Sequence, residues 1–163
     1  MTDTPVEQRF RVLCQIVRAQ HFAWREAVTE LCPGVDPADV ANRMWEITGR
    51  HTARAYLRRI EPSQPLARQV AASVVWSSRC MGEDAALEVT ADKDEAFVRH
   101  DDCPWFHWHD HRGLLAEDRP GCDRWFQVTV DEINLALGTN LKVETLATLP
   151  DGDGACRRRF WNE

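Results

Sequence analysis

Apolar residues recur every three to four positions through the first half of the chain and every second position in parts of the second half. Thr4-Pro5-Val6-Glu7 has the form of a capping box with proline at the first helical position. Phe10, Leu13, Cys14, Val17, Trp24, Val28 and Leu31 then follow a helical stripe, which Cys32-Pro33-Gly34 breaks. Asp36-Pro37 restarts a helix whose inner face carries Val40, Met44, Ile47, His51 and Ala55, and Glu61-Pro62 ends it. A third helix begins near Pro65, carries Leu66, Val70, Val74 and Cys80 or Met81, and is capped by Gly82.

Beyond Gly82 the period changes. Residues 85–91 and 95–102 alternate like strands joined at Asp92-Lys93-Asp94, which predicts a hairpin. Pro104 starts a short helix running to about Leu115, and residues 118–121 read as a break. A helix over 122–137, closed by Gly138, leads to a second hairpin, 140–149 and 156–161, across Pro150-Asp151-Gly152-Asp153-Gly154. The expected fold is α+β: three N-terminal helices packed on a small antiparallel sheet, with two further helices. We expect a single domain over 1–163, with a helical half (1–82) and an α+β half (83–163) carrying the chemistry.

Composition narrows the function. The chain has 163 residues, 44% hydrophobic and 28% charged, which excludes a disordered protein. A net charge of −6 offers no positive surface for a phosphate backbone, so no nucleic-acid partner is expected. No apolar run approaches the ~18–20 residues that cross a bilayer. The acidic, polar start Met1-Thr2-Asp3-Thr4-Pro5 is not a signal peptide, so a cytoplasmic protein with no membrane partner is expected. In a reducing compartment, six cysteines suggest metal ligands or reactive thiols rather than disulfides.

The candidate chemistry concentrates in His100-Asp101-Asp102-Cys103-Pro104-Trp105-Phe106-His107-Trp108-His109-Asp110-His111. With a helix starting at Pro104, Cys103 is its N-cap, His107 and His111 share its face, and His109 points elsewhere. A helix N-terminus favours a thiolate, while Asp101 and Asp102 oppose one. Cys122 follows Pro120-Gly121 at the expected start of the next helix and precedes Asp123; Cys156 opens the last strand. Cys14, Cys32 and Cys80 read as packing residues, with Cys80 open as a fourth ligand. Arg158 shares a strand face with Cys156 and Phe160, where it would clamp a carboxylate. Four of the seven tryptophans, Trp105, Trp108, Trp125 and Trp161, lie in the same stretch and suit a flat, largely apolar ligand.

Cys103-Pro104, Cys122-Asp123 and the glycine-rich turn before Cys156 resemble the pattern of the L-2-amino-thiazoline-4-carboxylic acid hydrolase family, over roughly residues 40 to 162. The resemblance implies a hydrolase opening a C–N bond of a cyclic amidine. The His107/His109/His111 run has no match in that pattern. The cysteines are also distantly similar to a small-molecule-binding domain related to 4-vinyl reductases, where cysteines and an acidic residue hold zinc.

Two mechanisms are open at this point. In one, Cys103, Cys122, Cys156, His107 and His111 supply the ligands of a zinc ion that activates water. In the other, Cys103 attacks directly with His107 as general base. Asp123 would orient a histidine in either, while Trp105, Trp108, Trp125 and Arg158 bind substrate. Iron, or an iron–sulfur cluster completed by Cys80, is the lesser cofactor reading. The rival class is a metal-containing, sensor-like binding domain without catalysis. The expected partner is a small molecule, and the long amphipathic first helix leaves a homodimer open.

Overall fold

The computed structural model describes residues 4–91 and 93–162. Met1, Thr2 and Asp3 of the polar start, and Asp92 of the first turn, lie outside the described residues. The chain divides into two compact units, Met1–Ala41 and Asn42–Glu163, with the boundary inside the second helix.

The first unit is dominated by helix α1 (Val6–Leu31). The N-cap is Pro5, with no side-chain capping bond, so the reciprocal box expected of Thr4 and Glu7 does not form. Cys14, Arg18 and Phe22 are its buried positions. Helix α2 (Pro37–Leu57) begins as its sequence predicts, with Asp36 Oδ1 accepting the Ala38 amide at 2.8 Å. It stops one turn before Glu61-Pro62.

In the second unit, α3 (Leu66–Cys80) leads to the hairpin β1 (Asp84–Val89) and β2 (Glu95–Asp102). Then come α4 (Pro104–His111), α5 (Leu115–Leu137), β3 (Leu141–Ala147) and β4 (Cys156–Asn162). The four described strands form one antiparallel sheet in the order β1-β2-β4-β3. The two expected hairpins are its two ends, and β2 pairing with β4 joins them. Among the described residues there are five α-helices and this sheet, so the fold is α+β as expected.

One face of the sheet packs against helices. Ala96, Val98 and Phe160 meet Val70, Val74 and Ala67 of α3, and Phe126, Val130 and Ile133 of α5, in one buried cluster with Tyr56 and Leu141. The other face is polar and paired: Arg157 reaches Glu88 at 2.8 Å and Arg159 reaches Glu95 at 2.6 Å. Helix α3 is tied to the first hairpin at its own start. Asp94 Oδ1 accepts the Ala67 amide at 3.0 Å, and Arg68 donates to the carbonyls of Thr90, Ala91 and Lys93.

The structure corrects the break expected at 118–121. Helix α5 runs straight through Pro120 and opens at Leu115 instead. A proline inside a helix forfeits one backbone hydrogen bond. Here the turn is held by tertiary contacts: Asp118 pairs with His109 at 2.8 Å, and Gly121 lies against the Trp45 ring. No helix among the described residues is long and apolar enough to cross a membrane.

Candidate functional site

The helix-facing side of β4 carries Cys156, Arg158 and Phe160, all buried, as the two-residue period of the strand predicts. His100 of β2 lies in register with Cys156 and is also buried. Cys122 of α5 lies within electrostatic reach of Arg158 and Cys156 on β4, and Cys103 within that of Cys122. Cys122 raises the pKa of Cys103, and Cys156 contributes to raising that of Cys122. The three thiols therefore gather in one region, on three different elements.

Their surroundings keep Cys103 and Cys122 protonated. Burial pushes the Cys103 thiol well above its ordinary value; Cys122 and Glu83 push the same way, against the Phe106 amide. The helix-end effect expected to favour a thiolate is outweighed by desolvation. Cys122 is pushed up to about 12, again chiefly by burial, despite the nearby Arg158 cation. It lies two turns inside α5 and not at a helix start, so it gains nothing from a helix terminus. Cys156 Sγ accepts the Leu149 amide at 3.3 Å.

This has a direct consequence for reactivity. At pH 8 a thiol with a pKa of about 12 is ionised to about one part in 10⁴. With Ellman's reagent the native protein is expected to release colour from the exposed Cys32 and Cys80, and from Cys103 and Cys122 only after denaturation. Peptide mapping that found Cys122 labelled as fast as Cys32 would contradict this.

The metal-binding reading requires correction. Among the described residues, no group of three or more His, Cys, Asp and Glu side chains is arranged to hold a metal ion. The histidines chosen as ligands turn away: His107 is exposed and bonds Asp102 at 2.6 Å, and His111 is exposed. The thiols Cys103, Cys122 and Cys156 are instead accompanied by the protein's own cation, Arg158, which interacts with both Cys122 and Cys156. His107 Nε2, proposed as general base for Cys103, is likewise engaged by Asp102.

The polar residues that do converge were mostly not singled out by the sequence. Glu83 accepts Trp105 Nε1 at 3.2 Å and lies 3.3 Å from His100 Nε2, which also bonds Ser78 at 2.9 Å. His109 is the buried histidine of α4. Its Nδ1 is 2.9 Å from the Trp105 carbonyl and 2.8 Å from Asp118. Trp45 of α2 meets Trp105 edge-on, with ring centroids 5.4 Å apart. The alternation Ala96, Val98, His100 would have placed His100 on the inner face, and Trp105 and His109 stand at the i, i+4 spacing of one helix face.

Arg158 is buried and incompletely hydrogen-bonded. It is 2% exposed, and its guanidinium lies 4.3 Å from the Phe126 ring centre. Among the described residues it pairs with Asp123 at 3.5 Å, and that carboxylate also accepts Thr145 Oγ1 at 2.7 Å and Arg119 at 3.4 Å. Its Nε is buried without a hydrogen-bond partner. Asp123 thus steadies an arginine and not a histidine. Of the tryptophans, Trp105 and Trp125 are half-buried, with Trp125 Nε1 donating to Thr52 at 3.3 Å. Trp108 lies under Arg112, and Trp161 is on the opposite face of β4, under Arg159.

Fold and site together describe an α+β domain with a buried, cation-centred polar cluster behind its sheet. No protein-family model and no curated protein matches the chain. Among solved structures, it is similar to a trafficking protein particle complex subunit 3 from Naegleria fowleri covalently bound to palmitic acid. The TM-score is 0.56 at 10% identity, covering 94% of this chain and 96% of the other. It is also similar to the phenol-responsive sensory domain of the transcription activator PoxR with phenol. There the TM-score is 0.56 at 11% identity, covering 88% of this chain and 72% of the other. These likenesses show the fold. The expectation of a metal-binding site is corrected by the absence of a metal-holding group among the described residues. Neither likeness bears on the resemblance to the L-2-amino-thiazoline-4-carboxylic acid hydrolase family.

Proposed function

We propose that the chain is a small-molecule-binding domain of the sensor type, acting without catalysis. Its ligand has a flat apolar body and a carboxylate, held behind the sheet by Arg158. The observation that carries this reading is the Arg158 guanidinium, buried with an unpartnered Nε. A buried charge is costly unless it is paired and fully hydrogen-bonded. Cys122 is protonated beside it and supplies no charge. Glu83 is taken by Trp105 and His100; Asp118 lies 2.8 Å from His109, with its Oδ2 left without a hydrogen-bond partner. Asp123 is shared and more than a third exposed. An incoming carboxylate would complete the guanidinium's pairing, while Trp105, Trp125 and Phe126 supply apolar walls. The two solved structures of similar fold support a small organic ligand, since one carries phenol and the other palmitic acid.

The test is calorimetric titration with matched pairs, benzoate against benzamide and hexanoate against hexanamide, with phenol alongside. Each acid is expected to bind at least about tenfold more tightly than its amide. Arg158→Met keeps the apolar stem, and the variant is expected to fold with undiminished stability yet bind acid and amide alike. Equal affinity of the wild type for acid and amide, or no binding of any of the five, would refute the proposal.

A further inference from the structure

Helix α1 carries a second pattern, distinct from its buried positions Cys14, Arg18 and Phe22. Val6, Phe10, Leu13, Val17, Gln20, Trp24, Ala27 and Leu31 follow one another at strict alternating spacings of four and three. That is the seam of a two-stranded helix pair, with its average repeat of 3.5. Its large apolar members are open to solvent: Val6 is 72% exposed, Leu13 59%, Trp24 75% and Leu31 77%, with Phe10 and Val17 also exposed. Isolated exposed hydrophobics are ordinary, but a continuous stripe about 39 Å long marks an interaction surface.

We infer that this stripe pairs two copies of the chain through their α1 helices, side by side and antiparallel. The seam is symmetric about the middle of the helix. Reversing one copy sets Val6 against Leu31, Phe10 against Ala27, Leu13 against Trp24 and Val17 against Gln20. Large residues thereby meet smaller ones in the outer layers, and the lone polar member, Gln20, falls in the central layer. The flanking charges favour the same direction. In the antiparallel pair Arg9 of one copy stands beside Glu30 of the other, twice by symmetry. In a parallel pair the same flanks set Arg9 beside Cys14, Ile16 beside His21 and Ala23 beside Val28, with no opposite charges matched. A self-complementary patch is what a twofold homodimer requires.

Sedimentation equilibrium on the full chain, from about 1 to 100 µM, tests this. The wild type is expected to be a dimer at the upper end. Trp24→Glu is expected to be monomeric throughout while keeping its helical circular dichroism. Arg9→Glu and Glu30→Arg are each expected to raise the dissociation constant about tenfold, and the double exchange to restore it. That restoration requires the antiparallel direction. A wild type monomeric at 100 µM would overturn the inference, as would a double exchange weaker than either single variant. A monomer that instead bound phosphatidylglycerol vesicles through Trp24 would assign the stripe to a lipid surface and overturn it equally.

Discussion

Replacing Gly121 by alanine is expected to lower the stability of the protein by about 2–3 kcal/mol, visible as a drop in the urea midpoint. A Cβ at this position would lie 2.6 Å from Cδ1 and 2.7 Å from Nε1 of Trp45. Those atoms belong to a rigid indole that already meets the Trp105 ring edge-on, so neither it nor α5 can give way cheaply. Substituting Trp45 by leucine in the same chain should recover much of the loss, because the two positions are coupled through that one contact. Gly154→Ala is the matched control: a Cβ there meets nothing within 4 Å, and little change is expected. Equal midpoints for Gly121→Ala and wild type would mean that the helices do not approach as closely as described.

Asp118→Ala is expected to be the more damaging change, costing about 3 kcal/mol or more. Asp118 and His109 face each other at 2.8 Å, and each side chain is less than a tenth exposed. Removing the carboxylate takes away the charged partner that faces the buried imidazole. It also removes one of the contacts that hold α5 together across Pro120. Asp118→Ala combined with His109→Leu should be milder than Asp118→Ala alone, since it deletes both polar partners at once. Thermal melts of the four proteins give the coupling directly. Additive losses would show that the pair does not act as a unit.

These two sites also show where sequence reasoning reached its limit. The presence of α1, α2 and α3, the alternation of β1 and β2, and the terminal hairpin were legible, because each is a periodic pattern with a recognisable cap or turn. The buried faces were not: Val40, Ile47, His51 and Ala55, read as the inner face of α2, are exposed while Gly49, Ala53 and Tyr56 are buried, and most of the α1 stripe is exposed while Cys14, Arg18 and Phe22 are buried. Pro120-Gly121 read as a break because the local rule is strong. What overruled it lies far away in sequence: an indole at position 45 that needs a glycine, and an imidazole at 109 that needs a carboxylate. The same blindness misassigned the histidines. Spacing from Cys103 favoured His107 and His111, whereas the buried face of α4 is set by Trp105 and His109. The convergence of Cys103, Cys122 and Cys156 was anticipated, and so was the inward face of Arg158. That the arginine itself would provide the positive charge among those sulfurs was not readable, because strand alternation fixes a face but not a neighbour.

The tie between α3 and the first hairpin has a consequence for how the molecule assembles. Asp94 caps the helix from the turn, and Arg68 near the helix start grips three carbonyls of that same turn. The start of the helix and the turn of the ribbon thus complete each other's hydrogen bonding. Helix and ribbon should therefore be born as one foldon, bridging a short span of chain before the distant strand β4 closes alongside β2.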